Sequence, residues 1–110
     1  MRTKVSTVAA KVDAKIVALD PQQAQLIGRL DRLTGKALMH NGRQLISQAG
    51  SQWTVDLASV SHSSSVGIAL LVDWQRYSQH KQVAIEFVNV PQKMKDVIEF
   101  SGLKGMFNLK

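Results

Sequence analysis

The twelve residues Val60-Ser61-His62-Ser63-Ser64-Ser65-Val66-Gly67-Ile68-Ala69-Leu70-Leu71 decide how this chain is read. They join an apolar, strand-like segment to an apolar, helix-like one. Between the two stand Ser61, Ser63, Ser64 and Ser65, followed by Gly67. A serine at a helix start accepts a hydrogen bond from a backbone N–H that has no partner in the first turn. That place is also the positive end of the helix dipole, so a phosphate is electrostatically accommodated there. The elbow is therefore where function is expected.

Working outward, Ser65 to about Gln79 reads as a helix. Val83 to Val88 follows as a nearly continuous β-branched run, as expected of a strand covered on both faces or mostly so. Pro91 suits the first turn of another helix, with Met94, Val97 and Ile98 as its apolar stripe. Gly102 is its expected C-terminal cap, and a short tail follows to Lys110. Upstream of the elbow, Trp53 to Leu57 reads as a strand. Before it, Leu38, Gly42, Leu45, Ile46 and Ala49 recur at helical spacing behind Thr34, a candidate N-cap, and Gly50 suits the other end. Gly42 costs about 1 kcal/mol against alanine inside a helix, so close packing against the sheet is expected there.

Two strands open the pattern. Lys15 to Leu19 is stopped by the turn pair Asp20-Pro21, and Gln25 to Leu30 comes next, so a hairpin or two neighbouring strands are expected. Residues 1–14 form an extension compatible with a tail, a short helix or an extra strand. Residues 15–110 are read as a single domain. The order β, β, α, β, α, β, α gives an α/β fold. Its four- to five-stranded sheet is mostly parallel, with right-handed crossovers and helices packed against it.

Composition narrows the function. At 110 residues and 45% hydrophobic content, the chain has material for one core. The absence of cysteine excludes disulfides, thiolate zinc sites and a cysteine nucleophile. The mixed charges between Met1 and Ala18 do not suit a signal peptide, and no apolar run is long enough for a membrane span. The net charge of +6 admits an anionic partner. The basic residues are scattered along the chain, however, and do not alternate with aromatics. A solvated surface is expected rather than a nucleic-acid groove.

Motifs for chemistry are missing. Gly35-Lys36 has Leu30 where a phosphate loop needs its first glycine, and Ala37 where it needs Ser or Thr. Ser65 carries only half of a nucleophile elbow, with Ser63 on one side and Gly67 on the other. His40, His62 and His80 have no ligand spacing, so neither a metal nor a cofactor is expected. Asp31 and Asp56 could meet at strand ends, although such residues usually serve turns. Trp53 and Trp74 are expected to pack on the sheet, with a role as interface anchors the alternative. A binding module, not an enzyme, is the expectation.

Four stretches resemble the STAS domain, the fold of sulfate-transporter domains and anti-sigma-factor antagonists. Gly28-Arg29-Leu30-Asp31 resembles the G-x-L-D that closes the second STAS strand. Val55-Asp56-Leu57-Ala58-Ser59-Val60 is similar to the central V-D-L-S-x-V strand. Ser64-Ser65-Val66-Gly67-Ile68 resembles the D-S-S-G-L or D-T-G-G-L loop, and Lys95 to Leu103 the last helix, which ends in S-G-L. Ser64 stands where the phosphorylated antagonists carry Asp. Ser65 takes the acceptor position, so both phosphoacceptor and plain helix-start roles are open to it.

The resemblance implies one of two partners. The favoured one is the cytoplasmic ATPase of an Mla-type ABC system, which moves phospholipid and maintains outer-membrane lipid asymmetry in Gram-negative bacteria. The chain would then be a non-catalytic subunit, cytoplasmic and peripheral at the inner membrane through the complex. The basic charge, the Asp-less elbow and the end at Lys110 soon after the third helix agree with that choice. The alternative is an anti-sigma-factor kinase whose antagonist is controlled by serine phosphorylation. In both cases the resemblance implies a contact face of His62, Ser63, Ser64, Ser65, Gly67 and Ile68, extending along the exposed part of Ile68 to Tyr77.

Overall fold

Apolar residues alternate along the strands of the computed structural model, which describes residues 14–109. Strand β1 spans Ala14–Asp20 and β2 Gln23–Leu30. Helix α1 spans Gly35–Gln48, β3 Gln52–Ser63, α2 Ser65–His80, β4 Ala84–Val88 and α3 Gln92–Phe100. The sheet among these residues has four strands in the order β1-β2-β3-β4. β1 pairs antiparallel with β2, while β2–β3 and β3–β4 are parallel. The mostly parallel α/β reading and the opening hairpin thus agree with the structure. Of the extension read over residues 1–14, residues 1–13 lie outside the described residues, and Ala14 opens β1.

Because strands 2, 3 and 4 follow one another across the sheet, successive crossovers step in one direction. Crossovers of one hand then lay their helices on one face. Ala24, Leu26, Trp53, Val55, Leu57, Ile85 and Phe87 point into that covered face and are buried. Gln23 and Ala84 on the opposite face are exposed, and Gln25, Thr54, Asp56 and Glu86 are half-buried. β4 therefore corrects its sequence reading. It is an edge strand with one covered face, and hydrophobic composition alone concealed the alternation.

The chain end covers part of that edge. Gly102, at φ +74°, ends α3, and the Leu103 N–H reaches back to the Ile98 carbonyl at 2.9 Å. After a short 3-10 turn at Lys104–Met106, Phe107 meets Phe87 edge-to-face with ring centroids 5.7 Å apart. The Phe87 N–H donates to Asn108 O at 2.9 Å, and Leu109 bridges Phe87 in parallel. What reads as a short tail thus satisfies backbone groups that an edge strand would leave open.

Trp74 ties the helical layer together. Its indole lies edge-to-face with Trp53 at 5.7 Å and an interplanar angle of 83°. Its Nε1–H donates to Met39 O of α1 at 3.3 Å. A Cβ added at Gly42 would lie 2.2 Å from the Trp74 ring. Gly42 is therefore small for the sake of α2, not of the sheet as the sequence suggested. On the outer side, the Arg43 guanidinium makes a forked hydrogen bond to the Asp73 carboxylate, with Nε to Oδ2 at 2.9 Å. That hydrogen bond, and then the carboxylate's charge, raises the Arg43 pKa above its ordinary value. Ser47 Oγ and Tyr77 Oη are 2.9 Å apart beside it.

The end of β2 is knitted before α1 begins. The Asp31 carboxylate accepts from Leu33 N at 2.9 Å and from Thr34 N at 3.3 Å. The Thr34 hydroxyl accepts from Asp31 N at 3.1 Å and donates to Arg29 O at 2.8 Å. Thr34 occupies the N-cap place, but its side chain bonds to the loop and not to the helix. The α3 stripe also needs correction. Met94 and Ile98 are buried, whereas Val97 is 45% exposed.

Replacing Gly42 by alanine is expected to destabilise the fold despite alanine's better helix propensity. The methyl must displace the Trp74 ring, and overpacking of that kind costs about 1–3 kcal/mol. Thermal unfolding followed by circular dichroism should show a melting temperature lower by roughly 4 °C or more. An unchanged or raised melting temperature would refute the close contact.

Candidate docking elbow

The elbow is held from below by the end of β2. Both the backbone N–H and the hydroxyl of Ser64 reach the Leu30 carbonyl, at 3.0 and 3.2 Å. The same hydroxyl oxygen accepts from Val66 N at 3.1 Å. Ser64 has extended backbone angles, φ −94° and ψ −172°, as an N-cap residue does. The cap is therefore Ser64 and not Ser65. Ser65 is the first helical residue, and it is exposed.

Ser63 and Gly67 fit one another. Ser63 is half-buried, and its hydroxyl donates to Ser64 O at 3.1 Å. A Cβ at Gly67 would lie 2.0 Å from Ser63 Oγ and 3.3 Å from Leu30 Cδ1. The space left by Gly67 is filled by its own chain, so Gly67 shapes the elbow from inside. Ile68 is also buried, at 8% exposure. His62 is exposed near the end of β3. Of the six residues expected to form the contact face, Ser65 and His62 are the ones freely offered to solvent. Tyr77, at the far limit of the expected face, is half-buried against α1.

The elbow is one wall of a groove. A cavity of about 440 Å³ is lined by Ser63, Ser64, Ser65 and Ile68 on one side and by Lys93, Met94, Asp96 and Val97 on the other. A second, of about 300 Å³, continues it between Val60–Ser63 and Pro91–Met94. The α3 wall was not legible in the sequence, where Met94 and Val97 read as core stripe. The one available signal was Lys93 and Asp96 at helical spacing beside Val97. The groove sets an exposed hydroxyl beside a lysine and a half-exposed valine, a surface suited to contact.

Among the described residues no group of three or more His, Asp or Glu side chains could hold a metal ion. Asp31 serves its own loop, and the Asp56 carboxylate accepts from Ala58 N at 2.8 Å and Asn89 Nδ2 at 3.1 Å. Asp31 thus serves a turn, whereas Asp56 lies inside β3 at a register shift against β2, so the two do not form the strand-end pair the sequence suggested. No helix among the described residues is long and apolar enough to cross a membrane.

The sequence family follows from a direct comparison. The family model described as "Mlab, STAS domain" matches residues 17–109. The chain belongs to the STAS domain family. No curated protein sequence matches it significantly. Among solved structures, a chain of the Acinetobacter MlaFEDB complex in an ATP-bound conformation is similar. It has a TM-score of 0.76 and 26% identity, over 87% of this chain and 100% of that one. A second ATP-bound conformation of the complex gives a TM-score of 0.72 and 27% identity, over 81% and 94%. The anti-sigma factor antagonist SpoIIAA in its unphosphorylated form gives 0.68 and 17%, over 88% and 87%, a likeness of fold. This STAS chain therefore has the α/β architecture its motifs implied.

Two neighbouring serines should respond differently to truncation. Ser64→Ala removes the cap and the hydroxyl's bond to Leu30 O, leaving the backbone bond in place, and is expected to cost about 1 kcal/mol. Ser65→Ala, at an exposed position whose hydroxyl bonds to no described residue, should stay within about 0.5 kcal/mol. Chemical denaturation of both variants checks this, and equal losses would contradict the assignment of the cap.

Proposed function

We propose that this protein is a non-catalytic STAS subunit of an ABC-type phospholipid transport complex. It binds the ATPase subunit through the elbow groove and supports assembly or activity of the complex. The observation that carries this reading is the match of residues 17–109 to the Mlab-type STAS model. The likeness to a chain of an MlaFEDB complex over that chain's full length supports it. On this reading the protein is peripheral to the inner membrane, on the cytoplasmic side, and is held there by its partner.

The elbow suits docking for a physical reason. The bonds of Ser64 to Leu30 O and Val66 N use internal partners, so the elbow is preorganised and little ordering cost falls on binding. Ser65 projects from this fixed frame beside Lys93 and Val97. A phosphate on Ser65 would add about −1.5 to −2 charges at the centre of the contact. A partner with an apolar or acidic surface would then be released, so Ser65 is the position where modification would act as a switch.

Affinity capture from bacterial extract with the wild-type chain, Ser65→Glu and Ser65→Arg tests the proposal. The wild type should retain an ABC ATPase. Both substitutions should weaken retention by roughly tenfold or more, the scale of losing a central contact. Retention of a serine-kinase anti-sigma factor in place of the ATPase would overturn the reading in favour of an antagonist.

A further inference from the structure

The basic residues look scattered in the sequence, yet the fold gathers several of them. On α1, Lys36, His40 and Arg43 recur at i, i+4 and i+7, on the flank that meets α2. On α2, Asp73, Arg76, Tyr77 and His80 recur at i, i+3, i+4 and i+7, on the flank that meets α1. Lys36, His40, Arg43, Arg76, His80 and Lys81 are all exposed. Helix α1 contains no acidic residue, and α2 contains only Asp73. The other described carboxylates lie elsewhere. Asp20 and Asp31 are in loops or strand ends, Asp56 and Glu86 on the strands, and Asp96 and Glu99 on α3.

The seam between α1 and α2 is thus a basic valley on the side of the helices turned away from the sheet. Its floor is fixed. Arg43 is clamped by Asp73, and Tyr77 is held by Ser47. The Tyr77 ring has the Arg43 guanidinium 5.0 Å and the Lys81 ammonium 5.6 Å from its centroid. Lys36 and Arg76 make no ion pair with a described residue. Ala69, one turn before Asp73 on α2, is exposed and small, which leaves room for close approach.

We infer that this α1–α2 seam is a second docking surface, separate from the elbow, for an acidic segment of a protein partner. Charge complementarity selects the chemistry. The exposed cations Lys36, Arg43, Arg76 and Lys81 are spread along two helices over about 20 Å at the rise of an α-helix, which matches a chain of carboxylates. The exposed large apolar side chains Leu19, Leu33, Val97 and Phe100 are all off this face. A bilayer would find no side chain to insert here. Tyr77, half-buried and flanked by Arg43 and Lys81, offers no open ring on which a base could stack.

Fluorescence anisotropy with a short synthetic Glu-rich peptide tests the seam. The wild-type chain should bind it, and affinity should fall with added salt. Lys36→Glu with Arg76→Glu should weaken binding roughly tenfold or more. Lys15→Glu with Lys95→Glu makes the same change in net charge away from the seam and should weaken it less than about threefold, through long-range charge alone. Circular dichroism checks folding, and Lys36→Gln with Arg76→Gln gives a milder variant that should show a smaller loss in the same direction. Equal losses from the seam pair and the control pair would overturn the assignment. Absence of peptide binding, with capture of anionic vesicles or single-stranded nucleic acid in its place, would do so as well.

Discussion

The placement of α2 depends on one buried side chain. Trp74 reaches three partners on two other elements: the Trp53 ring on β3, and the Met39 carbonyl and the bare backbone of Gly42 on α1. A fully buried indole of this size contributes several kcal/mol, about 3–5 on truncation. Its N–H is satisfied, so burial leaves no polar group without a partner. Because the contact fixes α1, α2 and the central strand together, it also fixes where α2 begins. The elbow is the consequence of that fixed start.

A second constraint acts at the N-terminus of α2. The Leu30 carbonyl receives both hydrogen bonds from Ser64, so the end of β2 and the start of α2 cannot separate without leaving polar groups open. Gly67 then lets Ser63 close over the first turn. The hydroxyl run is therefore divided by role. Ser63 and Ser64 build the frame, and Ser65 is presented by it. The elbow is thereby braced by its own chain, and Ser65 is the hydroxyl it leaves exposed.

The fold places two chemically different faces on one helix. Towards α3, α2 borders a groove with Ile68, Met94 and Val97 in its walls. Towards α1, it borders a polar, basic seam held by Arg43, Asp73 and Tyr77. Such a division suits a small subunit that contacts more than one surface of an assembly. On the proposed reading, apolar area would give affinity in the groove, and charge would give orientation and rate along the seam.

The order of elements, the opening hairpin, the helix-ending Gly50 and Gly102 and the family were legible in the chain itself. They rest on local periods, turn residues and short motifs such as Gly28-Arg29-Leu30-Asp31, which act between neighbours in sequence. What depended on distant neighbours was not legible. Gly42 is small because of Trp74, thirty-two residues away. The cap falls on Ser64 because Leu30 O is within its reach, and Val97 faces a groove because Ile68 stands opposite. The scattered cations become one seam because α1 and α2 lie side by side. Local sequence sets which helix and strand faces are apolar. Only tertiary packing decides which element each face meets, because that choice depends on contacts between residues far apart in the chain.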